Sequence, residues 1–244
     1  MESIALTPDV IFSLVIITFA YLIRGVVGFG SGLIAVPFLL LFLPLQVAVI
    51  LVALLDYIAS LTHGIHGRQS IAWPLLWPLL PFNIIGVLLA VYIFHQVNFD
   101  LLIKVLAVLI FLYAIYYLFN LRPRRHASRA WALPAGVLGS LVGTLFGTGG
   151  PFYVIYLQLQ GVDKSVFRAT FASIFLIDGC LRLGSYFLAG LISMEIVTLF
   201  LLTLPAMFLS LYLGEHLHTN ISALNFQRMI GALLIISSIS LFAH

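Results

Sequence analysis

The chain is short of charge, of cysteine and of long polar stretches. Only 8% of its 244 residues are Asp, Glu, Lys or Arg, against about 25% in a typical soluble domain. With 63% hydrophobic residues and a mean hydropathy of +1.19, a water-soluble globule is excluded. Apolar residues come in long runs rather than alternating with polar ones, which excludes the strands of a membrane β-barrel. A single cysteine, Cys180, excludes an internal disulfide; set in an apolar run, it reads as small buried filler. Phe29 and Leu33 occupy the glycine positions that Gly-x-Ser-x-Gly would need around Ser31, Leu33 spoils Gly-x-Gly-x-x-Gly, and no Gly-Lys-Ser/Thr is present. His63 with His66, and Glu215 with His216 and His218, fall short of a metal-ligand set. No enzyme, metal or cofactor is therefore expected. The opening "MESIALTPDV" carries Glu2 and Asp9 and no basic stretch, so a cleaved signal peptide is not expected either.

What remains is an all-α integral membrane protein. Ten apolar segments run over 8–27, 33–43, 46–63, 72–94, 101–120, 133–146, 151–160, 166–187, 195–214 and 225–243. The basic residues are scattered except at Arg122, Arg124, Arg125 and Arg129, which argues against nucleic acid and marks a cytoplasmic loop. That loop divides the chain into an N-terminal repeat (1–121), a basic linker (122–132) and a C-terminal repeat (133–244). Trp73, Trp77 and Trp131 fall near segment ends and read as interface anchors.

The halves resemble one another. Gly28 and Gly30 recur as Gly147 and Gly149, Asp56 as Asp178, Gly67 and Ser70 as Gly190 and Ser193, and Pro81 and Lys104 as Pro205 and Arg228. The offset drifts from 119 to 124 residues, as a duplication with small insertions would leave it. Five segments per half make the two repeats inverted in the membrane. With the arginine cluster inside, the loop holding Arg68, then Lys164, Arg168 and Arg228, also lie inside, and both termini lie outside. Segments 33–43 and 151–160 are about 16 and 15 Å long as helices, half the roughly 30 Å hydrocarbon core. Each is expected to form a glycine-tipped hairpin with its predecessor. Irregular backbone at that depth is tolerated only inside protein or against a water-filled cavity.

Two readings of the glycines stay open. In one, Gly28, Gly30, Ser31 and Gly32, with Gly147, Thr148, Gly149 and Gly150, form a site. The short helices start there, so free N–H groups and the positive dipole end would hold an anion, assisted by the two hydroxyls. In the other, small-xxx-small spacing, as in Gly139–Gly143–Gly147, serves close helix packing. Intramembrane charges are costly and usually functional. Arg24 lies one turn before Gly28, and Arg182 one turn after Asp178. Either arginine is a candidate partner for an anion, although Arg24 also fits snorkelling to the surface. Asp56 and Asp178 are candidate proton carriers, with an i,i+4 ion pair to Arg182 the structural alternative for Asp178.

"GVVGFGSGLIAVPFLLLFLPLQVAVILVALL" and "GVLGSLVGTLFGTGGPFYVIYLQLQGVDKSVFRATFASIFL" resemble the paired signatures of the TauE/SafE family, in which Gly-x-Gly-Gly precedes an apolar helix. Ser31 departs from the first signature, and Pro151 follows the second. The resemblance implies export of sulfite or an organosulfonate. Joined to the anion site, it gives a secondary transporter working by alternating access, with an uncoupled anion channel as the alternative. The expected partners are a small anion and the lipid bilayer, with a homodimer as an option. The expected place is the cytoplasmic (inner) membrane.

Overall fold

The computed structural model describes residues 8–28, 30–64, 70–118 and 128–217, with helical positions 231, 234, 235, 238, 239 and 241. Most of the linker, the repeat partners Gly67 and Arg228, Arg68, His66 and His218, and both chain ends lie outside these residues. Among the described residues every regular element is a helix. Helix α1 (Pro8–Val27) is followed by α2 (Ser31–Leu39) and α3 (Leu45–Gly64). Then α4 (Trp73–Leu76) passes through a 3-10 turn (Trp77–Leu79) into α5 (Leu80–Gln96), and α6 (Phe99–Leu118) follows. The second half holds α7 (Ala132–Phe146), α8 (Gly150–Leu159), α9 (Lys164–Leu188) and α10 (Met194–His216). Among the described residues, five spans are long and apolar enough to cross a membrane: 73–96, 99–116, 129–146, 165–188 and 194–216.

Local chemistry explains the interruptions. Pro74, Pro78 and Pro81 each remove a backbone donor, and the ladder between them tightens to the 3-10 pattern at Trp77–Leu79. α1 and α7 end where the backbone turns left-handed, at Gly28 (φ 92°) and Gly147 (φ 67°). Only glycine takes that conformation without strain. The next helix starts within three residues, which makes each tip tight.

Helices of one half pack on helices of the other. α1 lies along α10, α7 along α5, and α3 along α9. Glycines set the closeness of the first two pairs. A Cβ at Gly25 would meet the Leu211 carbonyl oxygen at 2.6 Å and Gly214 Cα at 2.8 Å, and one at Gly214 would meet the Leu22 carbonyl. Across the other pair, Gly86 faces the Val137 carbonyl, and a Cβ at Gly136 would reach the Leu79 carbonyl at 3.0 Å. Such backbone contact is how helices associate where lipid removes the hydrophobic drive. The outward face is apolar, with Leu88, Tyr92 and Leu201 well exposed to the bilayer, while Trp73, Trp77 and Trp131 are exposed at helix starts. Cys180 corrects the sequence reading: it is exposed, and its Sγ lies 3.1 Å from the Tyr57 hydroxyl beside the α3–α9 contact.

Replacing Gly214 by Leu forces α1 and α10 apart and is expected to cost at least about 1–3 kcal/mol. Gly184→Ala, which meets open space on α9, is expected to stabilise by up to about 1 kcal/mol through helix propensity. Thermal unfolding midpoints in detergent check both signs.

Candidate functional site

Among the described residues two buried ion-pair centres lie in the interior, one in each half. In the first, Tyr21 and Arg24 stand one turn apart on α1, Asp56 and Ser60 one turn apart on α3, and Ser31 opens α2. The Arg24 guanidinium pairs with the Asp56 carboxylate through Nη1 and donates from Nη2 to Ser60 Oγ at 2.8 Å. Tyr21 and Ser31 both donate to Asp56 Oδ1 at 2.6 Å, and Ser31 Oγ accepts from Arg24 Nη1 at 3.1 Å. All five side chains are buried, Arg24 being the most accessible at 6%.

In the second centre Asp178 and Arg182 are i,i+4 partners on α9, with Nε and Oδ2 3.1 Å apart. That contact is an ion pair without hydrogen-bond alignment, because Nε has no hydrogen-bond partner. Arg182 Nη1 instead donates to the Gly143 carbonyl at 2.7 Å. Tyr153, from α8, donates to Asp178 Oδ1 at 3.1 Å, and Tyr186 donates to the Thr144 carbonyl at 2.5 Å. The centre is as dry as the first: Tyr153 and Tyr186 are fully buried, Asp178 and Arg182 nearly so.

The glycine tips meet between the centres. Gly32 rests on the Gly147 carbonyl oxygen so closely that a Cβ would fall on it, and a Cβ at Gly147 would reach Val36 Cγ2 at 3.1 Å. The first tip is open: Gly28 and Gly30, both left-handed, face free space. The second is seated on α7, where a Cβ at Gly149 would strike the Gly139 carbonyl and come within 2.9 Å of Gly143 Cα. Gly149 thus fits the close-packing reading, and so does Gly139, which faces the Tyr153 ring. A Cβ at Gly150 would make only ordinary contact with Phe175 and Phe171. Thr148 lines an apolar cavity of about 260 Å³ with Leu33, Tyr113, Pro151 and Phe152.

The structure therefore joins Arg24, Ser31 and Asp56 in one cluster, and Asp178 and Arg182 in another. Sequence reasoning missed Tyr21, Ser60, Tyr153, Tyr186 and the Gly143 carbonyl. Tyr21 and Ser60 had a signal, since each lies one helical turn from a charge already singled out; Tyr153 had none.

A scan of family models matches residues 13–241 to "Sulfite exporter TauE/SafE". The chain belongs to the TauE/SafE family. A relative from Comamonas testosteroni, described as "Probable inner membrane transporter protein TsaS", is 29% identical over 205 residues, covering 80% of this chain and 82% of that protein. No solved structure matches the chain. The chain is thus a TauE/SafE-type membrane transporter, and its family is one of transporters rather than of enzymes.

Within this TauE/SafE chain the two centres have the same chemistry from different positions. Each carboxylate receives one tyrosine and one arginine. The arginine comes from α1 in one half and from α9 in the other; at the offsets of 119 and 122 residues at which the glycines and aspartates recur in the sequence, position 24 would pair with 143 and position 60 with 182. Its counterpart position holds Gly143 in one case and Ser60 in the other, and both accept from the guanidinium. The backbone agrees: the tip N–H of Gly28 donates to the Arg24 carbonyl at 2.6 Å, and that of Gly147 to the Gly143 carbonyl at 2.9 Å. A transplant tests this hypothesis of equivalence. Arg24→Gly alone leaves Asp56 without its cation and is expected to cost about 3–5 kcal/mol. Adding Ser60→Arg copies the second centre into the first and is expected to restore most of the loss. Melting temperatures of the single and double variants decide it; recovery of less than half counts against equivalence.

Proposed function

We propose that this protein is a secondary transporter, working outward, for a small sulfur-containing oxyanion such as sulfite or an organosulfonate. The anion is held near the midplane between the two glycine tips. The N–H groups at the starts of α2 and α8 face it, with the dipole ends of both helices favouring negative charge. Ser31 and Thr148 add hydroxyl donors, Arg24 and Arg182 supply the positive charge one turn away, and Asp56 and Asp178 carry coupling protons. The repeats 1–121 and 133–244 sit inverted in the inner membrane with both termini outside, and rocking of one bundle on the other gives alternating access.

The observation that carries this reading is the Gly32–Gly147 contact, which sets the start of α2 against the turn that joins α7 to α8, beside Ser31 on Arg24 and one helical turn from the Gly143 carbonyl on Arg182. The exchange of helix partners, α1 with α10 and α7 with α5, supports related halves. The family description supports the cargo class and the direction.

The reading is tested by thermal-shift binding on purified protein with sulfite, taurine, sulfoacetate, thiosulfate and sulfate, and acetate as control. A sulfur oxyanion at a hundred times its Kd is expected to stabilise by about 2.7 kcal/mol. Ser31→Ala and Thr148→Val are each expected to weaken binding about tenfold, the value of one hydrogen bond to a charged group. Stabilisation by acetate or by cations, with none by any sulfur oxyanion, would falsify it. Gly149 is unsuitable for this purpose, because its substitution disrupts the seat on α7 whatever the cargo.

A further inference from the structure

We infer that the first centre takes up its anion and one proton together, the anion replacing the Asp56 carboxylate as the partner of Arg24. The inference rests on the reading that the cargo is an oxyanion, and adds what the ion pair itself requires.

Arg24 is not a free cation waiting for substrate. Its guanidinium is already paired with Asp56, and both side chains are almost wholly buried. The groups facing Asp56 can be named helix by helix. α1 presents Tyr21 and Arg24, and α2 presents Ser31. From α9, Arg182 lies within range of the Asp56 charge but is held by Asp178. α7 carries no titratable side chain. On α10, Glu195, Tyr212, Glu215 and His216 lie towards the ends of the helix. The local charge is therefore zero before an anion arrives. Anion alone would leave one uncompensated negative charge in a low-dielectric interior, and a proton alone one uncompensated positive charge. Both together keep the balance. Each ligand therefore strengthens the binding of the other by the same factor.

The geometry provides for the exchange. Ser31 Oγ bridges the pair, accepting from Arg24 and donating to Asp56 Oδ1, and it is the first residue beyond the open tip at Gly28 and Gly30. An oxyanion at the tip takes the Ser31 O–H and one Arg24 N–H, the two donors that Oδ1 gives up. The proton from solution then sits on the Asp56 carboxyl, and no other bond is made or broken. Tyr21 suits both protonation states. Its hydroxyl donates to the carboxylate at 2.6 Å and has the Val52 carbonyl at 3.4 Å as a second acceptor. Turned to Val52, it leaves its oxygen free to accept from a protonated Asp56. Tyr21 is thus a positioning residue for the proton.

The test uses purified full-length protein in weakly buffered detergent solution, with methanesulfonate and ethanesulfonate as probes because both are monoanions and neither takes up protons near neutral pH. Adding methanesulfonate is expected to remove about one proton from solution per anion bound. Its affinity is expected to fall as pH rises, by about tenfold per unit where one proton is taken up per anion. In Asp56→Asn, binding persists with no proton uptake and no such pH slope; in Tyr21→Phe, uptake persists with its pH midpoint moved. Wild-type binding of either probe without proton uptake overturns the inference and leaves the proposed cargo standing. No binding of any sulfur oxyanion overturns both.

Discussion

A guanidinium inside a membrane-embedded bundle must be answered by a negative charge, and the interior of this protein is arranged around that requirement twice. Arg24 and Arg182 are each answered by one aspartate; Arg24 also donates to the Ser31 and Ser60 hydroxyls and Arg182 to the Gly143 carbonyl, while Arg182 Nε is left without a hydrogen-bond partner. α1 must come within side-chain reach of α3 for Arg24 to meet Asp56 and Ser60, and α7 must lie against α9 for Gly143 to reach Arg182. Breaking either pair leaves a buried charge alone, which is far costlier than removing both members. The arginines thus hold the hairpins to the core of the bundle as well as marking where an anion is welcome.

The glycines divide the remaining work. Gly25, Gly86, Gly136 and Gly214 let helix backbones touch, and Gly32 lets the tips touch. At Gly28 and Gly30 an added Cβ would meet open space, and glycine is needed there for the left-handed backbone. One residue type serves three purposes, and spacing alone does not separate them. The two tips also differ in mechanical character. The first is held by Ser31 in the Arg24–Asp56 pair and by Gly32 on Gly147, the second by a seat on α7.

Helix positions were legible because glycine, proline and charge punctuate an otherwise apolar chain, and such punctuation has few alternative meanings. The short length of α2 and α8 followed from the same marks, as did the pairing of Asp178 with Arg182 by helical spacing. The partnership of Arg24 with Asp56 was not legible, because it joins two helices whose contact no local pattern announces. Tyr153 was hidden for a deeper reason. In a soluble protein an apolar stripe reveals the buried face, whereas in a bilayer both faces of a helix are apolar. Cys180 was misread on the same account, since its apolar neighbours are equally those of a core and of a lipid-facing surface. The exchange of the arginine between positions 24 and 182 also conceals the likeness of the two centres from residue-by-residue comparison.

Cys180 is the only cysteine in the chain, and it is exposed beside Tyr57 where α3 and α9 run together. Those two helices carry the two aspartates. The unaltered protein therefore comes with a single attachment point for a fluorophore or spin label, placed on the seam between its two charge centres. Movement of one helix against the other can be followed spectroscopically without first building a cysteine-free background.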